Sequence, residues 1–592
     1  MTKPAAALPP SDPPPDHPSE IEAAAAAGTL RALIARRYRD GDDERRDFDN
    51  ALVNLHNRGS IDAVAVLAEL GRSGGQENDF FDIQLVFKDV LPRMMAEIAV
   101  VMDAVCGLVR AGEGDTFAGV LVDPFRQFCA VQPGRADEAL RLIREDAPRY
   151  ALLYPAVLAA GLEEDRAGWI ARAIDVLKTE EMVFLRHVVF ALTRPELAAD
   201  EDARAAALSA LKARLVGLAD DDVLASAVRA IFALDPVVQG ARGSGLLLDD
   251  VLAAGGDATL HAAIECLWLN GRTAPPAVAA VVFRHGERIK PAHKGTLHRA
   301  DMALYASLGE PCENEALAFL ERYLVANVGS VEPEAFQHSL RKIPNQHPAL
   351  FGRLLVKWFL SGERALCDSA RWMVTNSVGE AAPMPVDAIA GVALESGERI
   401  FVARKAVGWL FFQPKAAAEV VLAVMRDADS KSSKIIEDHL FDPLLINYAG
   451  PLEPFLREAG KSAPASVKRR INSALKRWRA HIDAVKAAGA IKELWPSERE
   501  RAITRQRFAD ESAAAMREAE ANSVLLSAVS KSVVLYGRAS IHSIRGPDGK
   551  NRRAVTRLQS HSFTIDVPSE DMVDPFGLDY KLRFMRVEKI RR

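Results

Sequence analysis

The sequence predicts a mainly α protein, an α-solenoid of antiparallel helical hairpins with a small C-terminal antiparallel β-sheet. Between residues 28 and 460, apolar residues recur every three or four positions, which is the spacing of one helix face. Prolines divide this region at intervals of one helix or one hairpin, as in helical repeats. Within residues 532–586 apolar residues instead alternate with polar ones, which is typical of half-buried strands.

The N-terminal segment is expected to differ from the repeats. Seven prolines lie within residues 1–20, and a stretch of this composition buries little apolar surface. We therefore predict a disordered Pro/Ala-rich tail over residues 1–27, followed by the solenoid over residues 28–460.

One predicted hairpin covers residues 203–236. The apolar face of its first helix consists of Leu208, Leu211, Leu215 and Leu218. Three aspartates follow at 220–222, and acidic residues favour the start of the next helix. The second helix is expected to end before Pro236. About 35 residues make this hairpin, and because one hairpin cannot bury its apolar face alone, neighbouring hairpins should stack.

A second hairpin carries a family resemblance. The stretch "VARKAVGWL" (402–410), followed by "PKAAAEVVLAVM" (414–425), resembles the helix pair of HEAT-repeat proteins, and "ARAAALSALKARL" (203–215) resembles it more weakly. The HEAT-like resemblance covers most of residues 120–460. It implies a curved stack of helix pairs whose inner surface binds a partner, and it implies no reaction.

Residues 461–530 are predicted to form basic and charged long helices. Nine Lys or Arg residues lie within 461–492, against Asp483 as the one acid. Such an excess along a helix could follow a phosphate backbone, although the cations could equally neutralise the acids of the next helix or face water. The candidate polyanion-binding residues are Lys468, Arg469, Arg470, Lys476, Arg477, Arg479, Arg552 and Arg553.

Residues 531–592 are predicted to form a three-stranded β-meander that caps the helical array. The alternating apolar positions of its strands are Val533, Leu535, Ala539 and Ile541, then Phe563, Ile565 and Val567, then Leu578, Tyr580, Leu582 and Phe584. Gly546-Pro547-Asp548-Gly549 supplies turn chemistry after the first strand. Packed on the preceding helices, such a sheet would shield the last apolar face of the array.

No convincing catalytic set is present, so we predict no catalytic residues, no metal and no cofactor. The sequence lacks a phosphate-binding loop and a nucleophile elbow. A weaker alternative is that Asp566, Asp579 and Lys581 lie on one polar face of the predicted sheet, which resembles nucleases of the PD-(D/E)xK type. That resemblance implies Mg²⁺ held by the two carboxylates and a water polarised by the lysine. Mixed charges are also ordinary on the solvated face of a sheet.

The composition of the chain indicates the compartment in which the protein is expected to function. The formal net charge is −5, which is too small to imply that the whole chain binds a polyanion. Five widely separated cysteines suit free thiols in a reducing compartment. The most apolar stretch, residues 94–109, contains Glu97 and Asp103 and is shorter than the ~20 residues that a membrane-spanning helix needs. We therefore expect a cytoplasmic protein with no membrane partner.

These observations predict a non-enzymatic scaffold that binds a protein partner along the solenoid surface. The first alternative is a nucleic-acid-binding component that uses residues 461–592, and the second is the terminal nuclease. The sequence leaves open the identity of the partner and the oligomeric state.

Overall fold

The computed structural model describes residues 16–37, 42–73, 79–112, 119–179, 181–236, 238, 247–270, 272–376, 384–489, 496–521, 539–545, 551–557 and 568–590. The chain divides into two compact units, Met1–His347 and Pro348–Arg592. None of the helices in these ranges combines the length and the apolar character needed to cross a membrane.

The first unit is helical throughout its described residues. Short 3₁₀ turns lie at Leu91–Arg93, Ala151–Leu153 and Pro333–Phe336. The helices are α1 (His17–Ala26), α2 (Leu30–Arg37), α3 (Asp42–Asn57), α4 (Ala63–Ser73), α5 (Phe80–Val90), α6 (Ile98–Ala111), α7 (Val122–Val131), α8 (Arg135–Glu145), α9 (Ala147–Tyr150), α10 (Tyr154–Glu164), α11 (Arg166–Val176), α12 (Met182–Ala191), α13 (Pro195–Ala198), α14 (Glu201–Leu215), α15 (Asp221–Leu234), α16 (Leu247–Ala254), α17 (Asp257–Asn270), α18 (Pro276–Gly286), α19 (Lys294–Ser307), α20 (Glu313–Ala326) and α21 (Gln337–Gln346).

The second unit contains the remaining helices and one β-hairpin. A wide helical turn lies at Leu440–Leu445 and a 3₁₀ turn at Glu570–Met572. The helices are α22 (Pro348–Ser361), α23 (Arg364–Asn376), α24 (Val386–Ala390), α25 (Ser396–Trp409), α26 (Pro414–Met425), α27 (Ser430–His439), α28 (Ile446–Ser462), α29 (Ala465–Ala488), α30 (Glu498–Ala521) and α31 (Pro575–Val587), and the strands are β1 (Ala539–Arg545) and β2 (Asn551–Arg557).

Helices α15–α21 of the first unit pack in two rows, and so do α22–α29 of the second unit. In the first unit α15, α17, α19 and α21 contact one another in series, and α16, α18 and α20 form a second series beside them. In the second unit the corresponding rows are α22, α24, α26 and α28, and α23, α25, α27 and α29. Consecutive helices join the two rows, which is the arrangement expected of stacked helical hairpins.

Side-chain contacts between neighbouring repeats recur at one sequence separation. Ion pairs join residues 35 or 36 positions apart at Asp137–Arg172, Arg186–Asp222, Arg229–Glu265, Asp249–Arg284 and Glu287–Arg322. This separation matches the hairpin of about 35 residues that the sequence predicts. The structure is therefore consistent with a helical repeat.

The predicted C-terminal β-sheet is wrong, and the protein is all-α in class. Residues 577–586, predicted as the third strand, lie within α31. The described β structure is one antiparallel hairpin, in which β1 pairs with β2 from Ala539↔Arg557 to Arg545↔Asn551. The predicted second strand, Phe563 to Val567, lies outside the described residues.

The predicted disordered tail over residues 1–27 is also wrong in part. Residues 1–15 lie outside the described residues, but residues 17–26, which we predicted to be disordered, form α1. The Asp16 side chain accepts a hydrogen bond from the Ser19 amide, and Pro18 lies in the first turn, where proline is tolerated in a helix. His17 and Ile21 are buried, so this helix belongs to the folded unit.

Candidate functional site at the C-terminal helix

Helix α31 begins with a strong local signal. The Asp574 carboxylate accepts a hydrogen bond from the Gly577 amide at 2.9 Å, and Pro575 occupies the first helical position. An acidic N-cap followed by proline satisfies the free amides of the first turn and presets the helical backbone. The helix therefore starts at a point that the sequence encodes.

One face of α31 docks on α25. Its buried side chains are Leu578, Leu582 and Met585, spaced four and three residues apart, as one helix face requires. The two backbones approach closely at Gly408, where a Cβ atom would lie 2.9 Å from the Cβ of Met585 and 3.3 Å from the Arg586 nitrogen. A glycine at this position lets the two helices meet without a steric clash.

Polar contacts fasten the C-terminal end of α31 to α25. Arg404 Nη1 donates to both carboxylate oxygens of Glu588, at 2.7 and 3.0 Å. Lys405 Nζ donates to the Arg586 carbonyl at 2.5 Å, and Arg586 Nε donates to the Gly408 carbonyl at 2.6 Å. Lys405 is fully buried, and this burial lowers the pKa of its ammonium group.

A second attachment holds the segment just before α31. Asn447 Oδ1 accepts from the Glu570 amide at 2.8 Å, and Asn447 Nδ2 donates to Glu570 Oε2 at 2.9 Å. Lys581 Nζ then bridges Glu570 at 2.8 Å and Asp442 at 3.0 Å. Helix α31 is thus attached to the repeats at its N-terminal end by these contacts and at its C-terminal end by those with α25.

The opposite face of α31 is apolar and exposed. Phe576, Tyr580, Phe584 and Val587 are 87%, 73%, 54% and 72% exposed, and their spacing of four, four and three residues places them on one side of the helix. We call these four residues the C-terminal stripe. Exposed apolar residues that lie together in this way mark interaction sites on protein surfaces.

An open cavity of about 900 Å³ adjoins the C-terminal end of this helix. Two aromatic residues line it, Trp409 and Phe412, together with Val587 of the C-terminal stripe. Two carboxylates, Glu363 and Asp368, also line it. The cations of the lining are Arg364, Arg371, Arg583, Arg586 and Lys589.

The charges of this cationic cavity are only partly balanced. Arg371 pairs with Asp368 at 2.7 Å and Lys589 with Glu363 at 3.2 Å. Arg364 is exposed and has no ion-pair partner among the described residues. Burial, followed by the nearby Arg371, lowers the pKa of Arg586, whose guanidinium lies 5.7 Å from the Trp409 ring centroid. These unbalanced cations make the cavity suited to an anionic group.

The predicted basic helix exists as α29, but three of its candidate cations make structural ion pairs. Arg470 contacts Glu437 at 3.2 Å, and Arg477 contacts Asp438 at 2.6 Å. Arg479 lies 3.6 Å from Glu453. These side chains join α29 to the preceding helices.

The other candidate cations have different surroundings. Lys468, Arg469 and Lys476 are exposed and have no ion-pair partner within the described part of the chain. The backbones of Arg552 and Arg553 lie on β2, opposite Ile544 and Ser543, and their side chains lie outside what the structure describes. Of the six candidate cations on α29, Lys468, Arg469 and Lys476 are therefore the ones that no ion pair engages among the described residues.

The structure does not bring the nuclease candidates together on adjacent strands. Asp566 lies outside the described residues, while Asp579 and Lys581 lie on α31. Two positions on a helix are separated by about 200°, so Asp579 pairs with Arg583 at 2.8 Å, whereas Lys581 turns toward Asp442 and Glu570. No group of three or more His, Cys, Asp or Glu residues within the described ranges could hold a metal ion.

Sequence reasoning missed both the C-terminal stripe and the cationic cavity. The cavity combines residues from 362–371, 409–412 and 583–589, which only the tertiary fold brings together. Asp574-Pro575 is a signal that could have revealed the stripe, because an N-cap followed by proline indicates the start of a helix. On a helix, the four residues of the stripe fall on one side.

Comparisons with known proteins identify no family. No family model and no curated protein matches the chain. A solved crystal structure of an engineered protein aligns with 14% sequence identity over 78% of this chain and 99% of that chain, with a TM-score of 0.23. A likeness at that score carries no argument about fold or function.

Proposed function

We propose that this chain is a non-enzymatic helical-repeat scaffold, and that it binds a protein partner through the C-terminal stripe. The observation that carries the proposal is the four-residue apolar face of α31. Three of its members are aromatic, and aromatic residues are enriched among the side chains that dominate binding energy at interfaces.

The firm attachment of α31 supports the same function. Arg404, Lys405 and Arg586 fix the end of the helix to α25, so the stripe is held in place before binding. A preformed surface loses less conformational entropy on association. All five cysteines are buried thiols, which supports a reducing compartment such as the cytoplasm.

Affinity capture followed by binding of the purified partner tests this function. The full chain is used as bait in a native lysate, the captured protein is identified, and its affinity is measured for the wild type and for the double variant Tyr580→Ser/Phe584→Ser. We expect the double variant to bind at least about tenfold more weakly. Because both side chains are exposed, the fold should survive the change.

Phe508→Ser is the matched control, since Phe508 is 65% exposed on α30 and outside the C-terminal stripe. It should bind the partner as the wild type does. Equal affinity of the wild type and the double variant would overturn the assignment of the stripe.

Polyanion binding is the second candidate function, supported by Lys468, Arg469 and Lys476, which are exposed on α29 and have no ion-pair partner among the described residues. The triple variant Lys468→Glu/Arg469→Glu/Lys476→Glu should abolish a salt-dependent mobility shift of DNA or RNA. In the charge-neutral variant with Gln at the three positions, the log–log salt dependence of binding should become shallower by about three. Arg470 and Arg477 are left intact because they pair with buried or half-buried acids. Absence of any shift at low salt would exclude this function.

A further inference from the structure

The C-terminal stripe and the cationic cavity share a boundary. Val587 belongs to the stripe and also lines the cavity. Arg583 lies three positions after Tyr580 and four before Val587, and Arg586, one helical turn further on, lies on the same flank of the stripe. An occupant that covers the C-terminal end of the stripe therefore reaches the cations of the cavity.

Charge along α31 is distributed unevenly. Asp571 and Asp574 are exposed at its N-terminal end, whereas Arg583, Arg586 and Lys589 lie at the cavity end. A nucleic-acid backbone that ran along the whole stripe would meet carboxylates at the first end, so uniform negative charge fits poorly. A ligand with acidic groups only at the end that faces the cavity would meet the cations there and would avoid the carboxylates at the other end of α31.

A second copy of α31 aligned in parallel is also a poor fit. Residues 575–587 contain one acid, Asp579, against the three cations Lys581, Arg583 and Arg586. Asp579 already pairs with Arg583. In a parallel pairing a second such helix would bring further positive charge to the cavity, and like charges placed together weaken association. In an antiparallel pairing its Asp571 and Asp574 would reach the cavity instead, and a dimer in sedimentation would distinguish that occupant.

We propose that the occupant is an amphipathic helix of the partner protein, with its apolar face on the C-terminal stripe and aspartate or glutamate side chains in the cationic cavity. This inference depends on the proposed scaffold function. The stripe from Phe576 to Val587 is about 16 Å long, which corresponds to about three turns of a partner helix with apolar residues at i, i+4, i+7 and i+11. Arg364, which has no ion-pair partner among the described residues, then offers a guanidinium group, and such a group binds carboxylates in a bidentate fork.

Two designed peptides test the inference on the full chain. Both are fluorescein-labelled helices of about 16 residues with leucine at the four apolar positions. The acidic probe carries glutamate on one flank at one end, and the neutral probe carries glutamine at the same positions. By fluorescence anisotropy at low salt, the acidic probe should bind about tenfold more tightly, and raising salt from about 50 to about 300 mM should remove most of that difference.

Arg364→Glu is the informative variant, because this exposed residue breaks no ion pair on replacement. It should weaken the acidic probe about tenfold and leave the neutral probe unchanged. Arg353→Glu, which reverses an exposed cation on α22 outside the cavity lining, should change neither. Tyr580→Ser/Phe584→Ser should weaken both probes.

The outcomes separate the two proposals. Equal affinity for the two probes, or insensitivity to Arg364→Glu, overturns the acidic helix while the scaffold function stands. If the captured partner binds the wild type and Tyr580→Ser/Phe584→Ser with equal affinity, the stripe is not its binding surface and the proposed function itself is overturned. Displacement of the acidic probe by an unlabelled single-stranded oligonucleotide, or a dimer in sedimentation that Tyr580→Ser/Phe584→Ser dissociates, also overturns the acidic helix.

Discussion

Two cations on the first turns of α29 lie in opposite environments. The Arg470 side chain is 15% exposed and contacts Glu437, which is 3% exposed, whereas Lys468 is exposed. Replacing Arg470 leaves a buried carboxylate with Arg477 alone, at 3.5 Å. Removing one partner of a buried ion pair costs far more than removing an exposed charge.

We therefore expect Arg470→Ala to lower the free energy of unfolding by about 2–3 kcal/mol and Lys468→Ala to change it by less than ~0.5 kcal/mol. Urea denaturation of each variant provides the measurement. Equal changes in the free energy of unfolding would show that the ion pair of Arg470 contributes little to stability. Arg470 would then again be a candidate for binding a polyanion.

Glu419 gives a residue-scale prediction about pH. Burial raises the pKa of its carboxyl from 4.5 to about 7, against a smaller lowering by Lys415. Between these two pKa values the folded state binds more protons than the unfolded state, so this group makes stability fall as pH rises from about 4.5 to about 7. Glu419 lines a cavity of about 670 Å³ in the second unit.

Glu419→Gln removes this carboxyl and keeps its shape. The variant should unfold at a higher temperature than the wild type at pH 8, and the difference should shrink to near zero at about pH 4.5. Thermal unfolding across this range measures the effect. A difference that stayed constant with pH would contradict a protonated Glu419 in the folded state.

At the scale of elements, α31 shows why a correct pattern led to a wrong structure. Leu578, Tyr580, Leu582 and Phe584 alternate along the chain as in a strand. The same residues fall on two opposite apolar faces of a helix, one docked on α25 and one exposed. Apolar residues therefore alternate with polar ones because the helix is apolar on two opposite sides. Only the helix cap at Asp574-Pro575 distinguished a helix from a strand in this sequence.

The docking of α31 depends on the small size of Gly408. Gly408→Ala would place a methyl group 2.9 Å from Met585, so we expect α31 to separate from α25. The cost should be about 1–3 kcal/mol, with faster hydrogen exchange of the amides in 575–587. Hydrogen-exchange mass spectrometry of the full chain measures this release.

Gly397→Ala is a control within the same helix. Nothing lies within 4 Å of a Cβ atom placed at Gly397, and alanine favours the helix. This variant should keep the wild-type protection of 575–587. Unchanged protection in Gly408→Ala would mean that the contact at Met585 adapts without release.

At the scale of the whole molecule, the repeat period was predictable from the sequence and the cationic cavity was not. Apolar spacing and acidic N-caps are local, and Asp220 does cap α15 through the Val223 amide at 3.0 Å. The division at His347/Pro348 lies inside the predicted array of 28–460, where no change in composition marks it. The cationic cavity depends on chain segments more than 170 positions apart, and no local pattern encodes such a meeting.

Two aspartates, the buried Asp301 and the half-buried Asp221, link one repeat to the next. The Asp301 carboxylate of α19 accepts from the His338 and Ser339 amides, each at 2.9 Å, and from Ser339 Oγ at 2.6 Å. It thereby caps the first turn of α21, whose amides have no partner within their own helix. Asp221 of α15 does the same for α17 through Gly256, Ala258 and Thr259.

This link predicts unequal effects for two aspartates that both bridge repeats. Asp301 is 1% exposed, so Asp301→Ala leaves several buried donors unpaired and should cost about 3 kcal/mol. The Asp222 side chain is 64% exposed and pairs with Arg186 at 3.3 Å, so Asp222→Ala should cost less than ~0.5 kcal/mol. Because stacked repeats unfold through their interfaces, Asp301→Ala should also make the denaturant transition less cooperative. A small, uniform cost for both variants would mean that apolar packing alone couples the repeats.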